Sequence, residues 1–236
     1  MAKFNYKENN SWGNIGWLGS DAYYTFWGDL FARKLAGYFQ HKTILDIGAG
    51  TGRVWDEAFR LGLEPKELHL IDPALNISRD LSAKPEITAY KTTIDNVQGL
   101  HGDVAVFKQS IHHVYDAIGL DLFDAVQCPL FINFSMPLDT EWPLSPALME
   151  KYKPSVLDVE SIVKQSSKII KSTFAVSYPV KIKRDDWCLM LKQRFISTLH
   201  DCDDCFLEKE ILWVEKNQPD ILEFNDTIEC TIFLKR

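Results

Sequence analysis

The chain has 236 residues, 46% of them hydrophobic and 25% charged. That is an ordinary globular composition, long enough for one substantial core and short for two domains. Its 26 basic and 33 acidic residues leave a net charge of −7, which argues against nucleic-acid binding, because phosphate contacts need a basic surface.

The opening MAKFNYKENN lacks the apolar stretch of a signal peptide, and no apolar run is long enough to span a membrane. The 5 cysteines are an odd, scattered set, read as free thiols in a reducing, cytoplasmic setting. From Trp12 to Phe39 aromatics are dense. Asp21 is positioned to cap a helix running to Phe39, with Phe26, Leu30 and Leu35 near one stripe.

Strands then alternate with helices. Strands are expected at 43–47 (TILDI), 67–71 (ELHLI), 87–90 and 103–107 (DVAVF), and helices or turns at 51–61, 75–82 and 95–100. This alternation implies a parallel sheet covered on both faces. Beyond His113 the rhythm breaks. A helix is expected over 120–127, a fifth strand over 130–134, and a Pro- and aromatic-rich loop or lid over 137–154. Helical patterns follow at 156–170 and 185–199, with strands at 173–180 and 226–234 (DTIECTIFL), the last suiting an antiparallel edge.

The segment Asp46-Ile47-Gly48-Ala49-Gly50-Thr51-Gly52 follows an expected strand and opens an expected helix. Glycines there let main chain approach a ligand closely, and the helix start adds unpaired N–H groups. Asp72, twenty residues past Gly52 at the end of the second strand, is placed to accept hydrogen bonds from both ribose hydroxyls of a nucleoside. Dinucleotide enzymes use G-x-G-x-x-G. Here the glycines alternate, with an acid two positions before the first.

That D-x-G-x-G-x-G pattern resembles motif I of class I S-adenosylmethionine-dependent methyltransferases, and Ile71-Asp72-Pro73 resembles their second motif. The resemblance covers 43–114 and implies a Rossmann-like α/β fold. Its expected form is a seven-stranded, mostly parallel sheet with helices on both faces, an antiparallel C-terminal edge and an N-terminal helical lid. It further implies one domain over 1–236, with the lid in 1–40, the cofactor half in 41–135 and the substrate side in 136–236. S-adenosyl-L-methionine is the implied cofactor. Asp46, Gly48, Ala49, Gly50 and Gly52 would meet its amino-acid tail, and Asp72 with Pro73 its ribose. In Lys91-Thr92-Thr93-Ile94-Asp95, Thr93 stands where the family carries an acid beside the adenine. Thr93 and the Ile94 N–H are the expected contacts, with Asp95 as rival.

Asp103-Val104-Ala105-Val106 leading to His112-His113-Val114 resembles the "D-V-V…L-H-H-V" stretch of small-molecule methyltransferases. Phe107, Lys108, Gln109 and Ser110 would then face the cofactor's methionine end. His112 or His113 would lie near the substrate, as a base for a hydroxyl or protonated amine or merely as a strand-end cap. The nucleic-acid-directed [DN]-P-P-[YFW] motif is absent. The acceptor is therefore expected to be a small molecule, with no membrane partner and no nucleic acid; the sequence sets no oligomeric state.

In the family the segment before strand one often folds over the cofactor. Trp12, Trp17, Tyr23, Tyr24 and Trp27 are candidates for such a lid, with core packing as the alternative. Trp142, Tyr152, Tyr178, Trp187 and Arg194 are candidates to line a substrate pocket. Arg194 would grip a carboxylate or pair with Asp185 or Asp186. His200, Cys202 and Cys205 offer three metal ligands, but zinc needs a fourth, so a solvated acidic turn is expected there and no metal. Alternatives to small-molecule methylation are a peptide, protein or RNA acceptor, a non-catalytic S-adenosylmethionine-binding module and an NAD(P)-dependent oxidoreductase.

Overall fold

The computed structural model describes residues 16–97, 99–137, 139–153, 158–166 and 168–234. Trp12 lies outside them, as does part of the 156–170 segment. Four strands form the parallel centre: β1 (Thr43–Ile47), β2 (Glu67–Ile71), β3 (Ile87–Tyr90) and β4 (Val104–Lys108). β5 (Leu130–Ser135) extends it in parallel, and β6 (Ile169–Lys183) and β7 (Ile221–Leu234) complete a seven-stranded sheet. The order is β3-β2-β1-β4-β5-β7-β6, with β7 antiparallel to both neighbours. The chain thus has the mostly parallel, Rossmann-like sheet with an antiparallel edge that its strand pattern suggests.

Burial follows position in this order. All five residues of β1 are buried, as a strand covered on both faces requires. At the two edges, β3 has no fully buried residue and β6 carries alternating exposed residues. Side chains on the central strands alternate between two cores. Ile44, Val104, Val106, Ile132 and Phe134 face one, while Leu45, Ile47, Ala105, Phe107 and Phe131 face the other. The first core is roofed by α1 (Asp21–Asp29), α2 (Ala36–Phe39) and α3 (Arg53–Arg60), which contribute Trp27, Phe31 from the turn after α1, Phe39 and Trp55. Trp27 meets Phe134 edge-on at 5.1 Å, and each such fully buried ring contributes roughly 2–3 kcal/mol. In the second core Phe131 and Phe233 stack at 5.1 Å.

Several elements differ from the sequence expectation. The helix expected from Asp21 to Phe39 is broken by a π turn at Leu30–Lys34, where the Leu35 N–H donates to Leu30 O five residues back. Of the expected 75–82 helix, only α4 (Arg79–Ser82) forms, and 94–96 is a single 3-10 turn. The expected 120–127 helix is only the short α6 (Leu122–Ala125), and ahead of it stands a helix the sequence reading did not contain, α5 (Ile111–Ile118), ended by Gly119 at φ 59°. His112 and His113 therefore ride on a helix rather than on a strand end.

The 137–154 segment contains α7 (Pro146–Tyr152), capped by Ser145, and α8 is Val159–Gln165. The helix expected over 185–199 stops at Lys192 as α9 (Arg184–Lys192), because Arg194 turns left-handed at φ 54°. A whole helix, α10 (Asp204–Asn217), had no counterpart in the reading of the sequence. Its buried Leu207, Glu210, Ile211 and Val214 recur at helical spacing, so the signal was present beneath the acidic turn that Asp203 caps. Among the described residues no helix is long and apolar enough to cross a membrane.

Candidate functional site

A cavity of ≈ 530 Å³ opens beyond the carboxyl ends of β1, β2 and β4, where open α/β sheets bind their ligands. Its floor is the glycine loop between β1 and α3. Gly48, Gly50 and Gly52 all have positive φ, at 82°, 59° and 68°, a conformation costly for residues with a Cβ. Their surroundings differ. A Cβ on Gly48 would come within 2.2 Å of Ser110 Cβ, and one on Gly52 within 2.7 Å of Leu81. A Cβ on Gly50 would meet nothing within 4 Å. Gly48 and Gly52 are therefore fixed by packing, whereas Gly50 leaves bare main chain beside open space.

Asp72 closes the loop from β2. Its Oδ2 accepts the Gly50 N–H at 2.9 Å and its Oδ1 the Ala74 N–H at 2.7 Å. Burial raises the Asp72 pKa, and those two N–H bonds pull it back. Each oxygen keeps a further acceptor site. Pro73, Thr92, Thr93, Ile94 and Asp95 continue the same wall, with Thr93 entering the short turn that buries Ile94.

Asp46 stands differently from its expected place. It is 4% exposed and does not line the cavity; its Oδ2 accepts the Trp55 indole N–H at 2.6 Å, and its Oδ1 has no hydrogen-bond partner among the described residues. Burial raises its pKa from 3.8 to about 6, against the pull of Trp55 and the Lys108 charge and with a push from Asp72. A pKa raised by folding means that this group's stabilisation is complete below the ordinary carboxylate range and is lost as pH rises through about 6. Asp46→Asn removes that loss. The variant should match wild type in unfolding free energy at acidic pH and exceed it near pH 8 by about 2–3 kcal/mol, at 1.36 kcal/mol per pKa unit. A stability difference that is the same at both pH values would contradict this account of Asp46.

Lys108, at the end of β4, lines the cavity with Gln109 and Ser110. Its ammonium lies 5.2 Å over the Trp27 ring. Burial lowers its pKa, while Asp46 and Asp226 oppose the shift. Gln109 is left-handed at φ 57°, held by its N–H donating to Phe134 O at 2.8 Å. Ser110 donates its hydroxyl to Ile47 O and so ties the glycine loop to β4. Phe107 points into the second core, fully buried and outside the cavity wall.

The N-terminal segment forms one side of the cavity through Leu18, Tyr23 and Tyr24. Arg53, the first residue of α3, lies 4.0 Å over the Tyr24 ring and pairs with Asp21 at 2.7 Å, clasping α1 to the loop. Tyr23 donates its hydroxyl to Asp226 Oδ2 at 2.9 Å, and the Trp17 indole N–H reaches the same oxygen at 3.3 Å. Trp17 itself stands behind the wall, stacked on Trp187 at 5.7 Å. Tyr178 packs edge-on against Tyr23 at 5.1 Å, also behind it.

The far end of the cavity is aromatic. Trp142, Tyr152 and Phe195 line it, with Trp142 stacked on Phe195 at 5.5 Å and on Tyr152 at 6.2 Å. Tyr152 is delivered by α7, whose cap residue Ser145 is gripped by the buried Glu210 carboxylate through both its N–H and its hydroxyl. Arg194 lies outside the wall. Its guanidinium donates to Leu199 O, Cys202 O and Asp204, and this holds the turn before α10. Its acidic partner is Asp204, not Asp185 or Asp186.

His112 and His113 both line the cavity, their rings 3.9 Å apart. Burial lowers both pKa values. That of His113 falls to about 4, with His112 and His200 adding to the shift and Asp116 opposing it. Asp226, 1% exposed and part of the wall, is the residue that sequence reasoning missed. It lies inside an alternating strand pattern, and nothing local distinguishes it from a surface acid.

No protein-family model matches the chain, and no curated protein matches it by sequence. Solved structures do match in fold. A candidate sarcosine dimethylglycine methyltransferase from Galdieria sulphuraria superposes with a TM-score of 0.51 at 13% identity, covering 92% of this chain and 86% of that one. A cyclopropane-fatty-acyl-phospholipid synthase-like protein from Lactobacillus casei gives 0.50 at 13%, covering 90% of each. At such identities the likeness shows the fold alone, a Rossmann-like fold shared with both neighbours.

Proposed function

We propose that this chain transfers a methyl group from S-adenosylmethionine to a small-molecule acceptor. One observation carries the reading: a bare-backbone cradle at Gly50 and a half-buried carboxylate at Asp72, hydrogen-bonded to each other, face the same cavity. Asp72 would accept the ribose hydroxyls, while Thr93 and the Ile94 N–H would meet the adenine. The main chain of Gly48 to Gly50 would take the amino-acid tail, with Lys108 as counter-ion to its carboxylate. Asp46, behind the loop, contributes its field rather than a direct contact. Gln109, in its left-handed turn, stands at the methionine end.

When bound, the cofactor supplies an electrophilic methyl group on a sulfonium whose leaving group is a neutral thioether. The chain's part is then to align the acceptor, exclude water and, for an acceptor that carries a proton, remove it. The lowered pKa values leave both histidines neutral near pH 7 and able to take a proton. A base works best near the working pH, and a pKa of about 4 matches His113 poorly to this role. Tyr24, Trp142, Tyr152 and Phe195 would wall the acceptor. Support for a small acceptor comes from the aromatic far end, a cavity of ≈ 530 Å³, within the usual range for small ligands, and the acidic net charge.

Titration calorimetry with S-adenosylhomocysteine and, separately, NADH tests the cofactor. Heat is expected only with the first, and its absence would end the methyltransferase reading. Methyl incorporation from labelled cofactor should appear in the small-molecule fraction of a cell extract. Label confined to tRNA or protein would end the small-molecule reading while keeping methyl transfer.

A further inference from the structure

The charges around the cavity do not balance. Asp72, Asp95 and Asp226 line it, and Asp46 lies just behind it. Of the two cations in the wall, Arg53 is already paired with Asp21. Among the described residues, Lys108 is left as the ammonium whose charge acts on both Asp46 and Asp226. A buried carboxylate without a full counter-charge is costly, and Asp226 has room for another partner. Its Oδ2 is occupied by Tyr23 and Trp17, but its Oδ1 is buried with no hydrogen-bond partner among the described residues.

Asp226 is also separated from the cofactor crevice. β7 lies three places from β1 in the sheet, roughly 14 Å at 4.8 Å per strand. The register pairs Glu229 with Ser135, the last residue of β5, so Asp226 stands past the end of that strand. Around it the wall is aromatic, and aromatic faces attract cations.

We propose that this end of the cavity binds an organic ammonium, with the Asp226 carboxylate as its counter-ion and the rings of Tyr23, Trp142, Tyr152 and Phe195 around it. The identification of that ammonium as the acceptor substrate rests on the methyl-transfer reading; its binding does not. Recognition is by charge and shape, because an alcohol or a carboxylate of the same skeleton offers Asp226 no positive group. The indole N–H of Trp142, which also lines the cavity and has no partner among the described residues, would meet an acceptor atom elsewhere on the same ligand.

The test uses the full chain saturated with S-adenosylhomocysteine, and in parallel the chain without it. Saturation-transfer NMR is recorded with alkyl- and arylalkylammonium ions from propylammonium to tryptammonium, beside the matching alcohols and carboxylates at the same millimolar concentrations. At least one ammonium is expected to bind, its alcohol and carboxylate counterparts more weakly by about tenfold or more. Asp226→Asn should lose about tenfold or more in ammonium affinity while its affinity for S-adenosylhomocysteine stays within about twofold. No binding by any ammonium, equal binding of ammonium and alcohol, or an unaltered ammonium affinity in Asp226→Asn would each overturn the proposal. The wild-type comparison decides the matter even if the variant folds poorly. Failure of S-adenosylhomocysteine to bind, with ammonium binding intact, would instead remove the methyl-transfer reading and leave the cation site standing.

Discussion

Replacing Asp72 with asparagine is expected to weaken S-adenosylhomocysteine binding by about a hundredfold, measured by titration calorimetry. The carboxylate is already oriented by the N–H groups of Gly50 and Ala74, one on each oxygen, so a nucleoside would find both acceptors fixed in place. An asparagine retains one acceptor oxygen; its amide nitrogen cannot accept from a ribose hydroxyl or from either main-chain donor. One charge-assisted hydrogen bond is lost outright, worth about 1.5–3 kcal/mol, and the other loses its charge; together they cost about 3 kcal/mol, or two powers of ten in affinity. The unliganded variant should also melt lower, because the Gly50 or the Ala74 N–H loses its partner. An affinity within about threefold of wild type would mean that no nucleoside sugar is held at Asp72.

The second large effect is a contrast between two glycines of one loop. Gly48→Ala should destabilise the fold by about 2–5 kcal/mol, combining left-handed strain with overpacking against the end of β4. Its methyl would stand 2.2 Å from Ser110 Cβ, and Ser110 cannot retreat without breaking its bond to Ile47 O. Gly50→Ala carries the strain alone, about 1–2 kcal/mol, since no atom lies within 4 Å of the new methyl. That methyl would occupy the cradle, and affinity for S-adenosylhomocysteine should fall about tenfold or more. Urea unfolding of the unliganded proteins gives the first quantity and calorimetry the second. If Gly50→Ala binds like wild type, or if the two variants are equally stable, the loop does not divide its labour in this way.

What was legible in the sequence is what short stretches of chain determine. The strand, loop and helix from Thr43 to Arg60 and the acid at the next strand's end are local patterns, and the loop with Asp72 stands together in the cavity wall. The acceptor side rests on contacts between distant residues, and no window of sequence contains them. Tyr23 and Asp226 lie 203 positions apart, and Ser145 and Glu210 lie 65 apart. A period-two reading of 226–234 locates the strand yet says nothing of what its first carboxylate touches. Arg194 shows the converse error. A lone arginine among aromatics suggests a ligand clamp, but three nearby main-chain and side-chain acceptors engage it. The break in the helix expected from Asp21 to Phe39 is likewise tertiary in origin, for the residues of the π turn, Leu30 and Phe31, are buried core.

The strand order β5-β7-β6 has a consequence for biosynthesis. The ribosome makes β6 before β7, yet β6 touches the rest of the sheet only through β7. While the nascent polypeptide is still short of Ile221, the carboxyl-side border of β5 is bare, and the fifteen residues of β6 have no sheet partner to zip onto. Completion therefore awaits a late insertion between two earlier-made segments, a non-local step of the kind that slows folding and exposes unpaired edges to aggregation in the meantime.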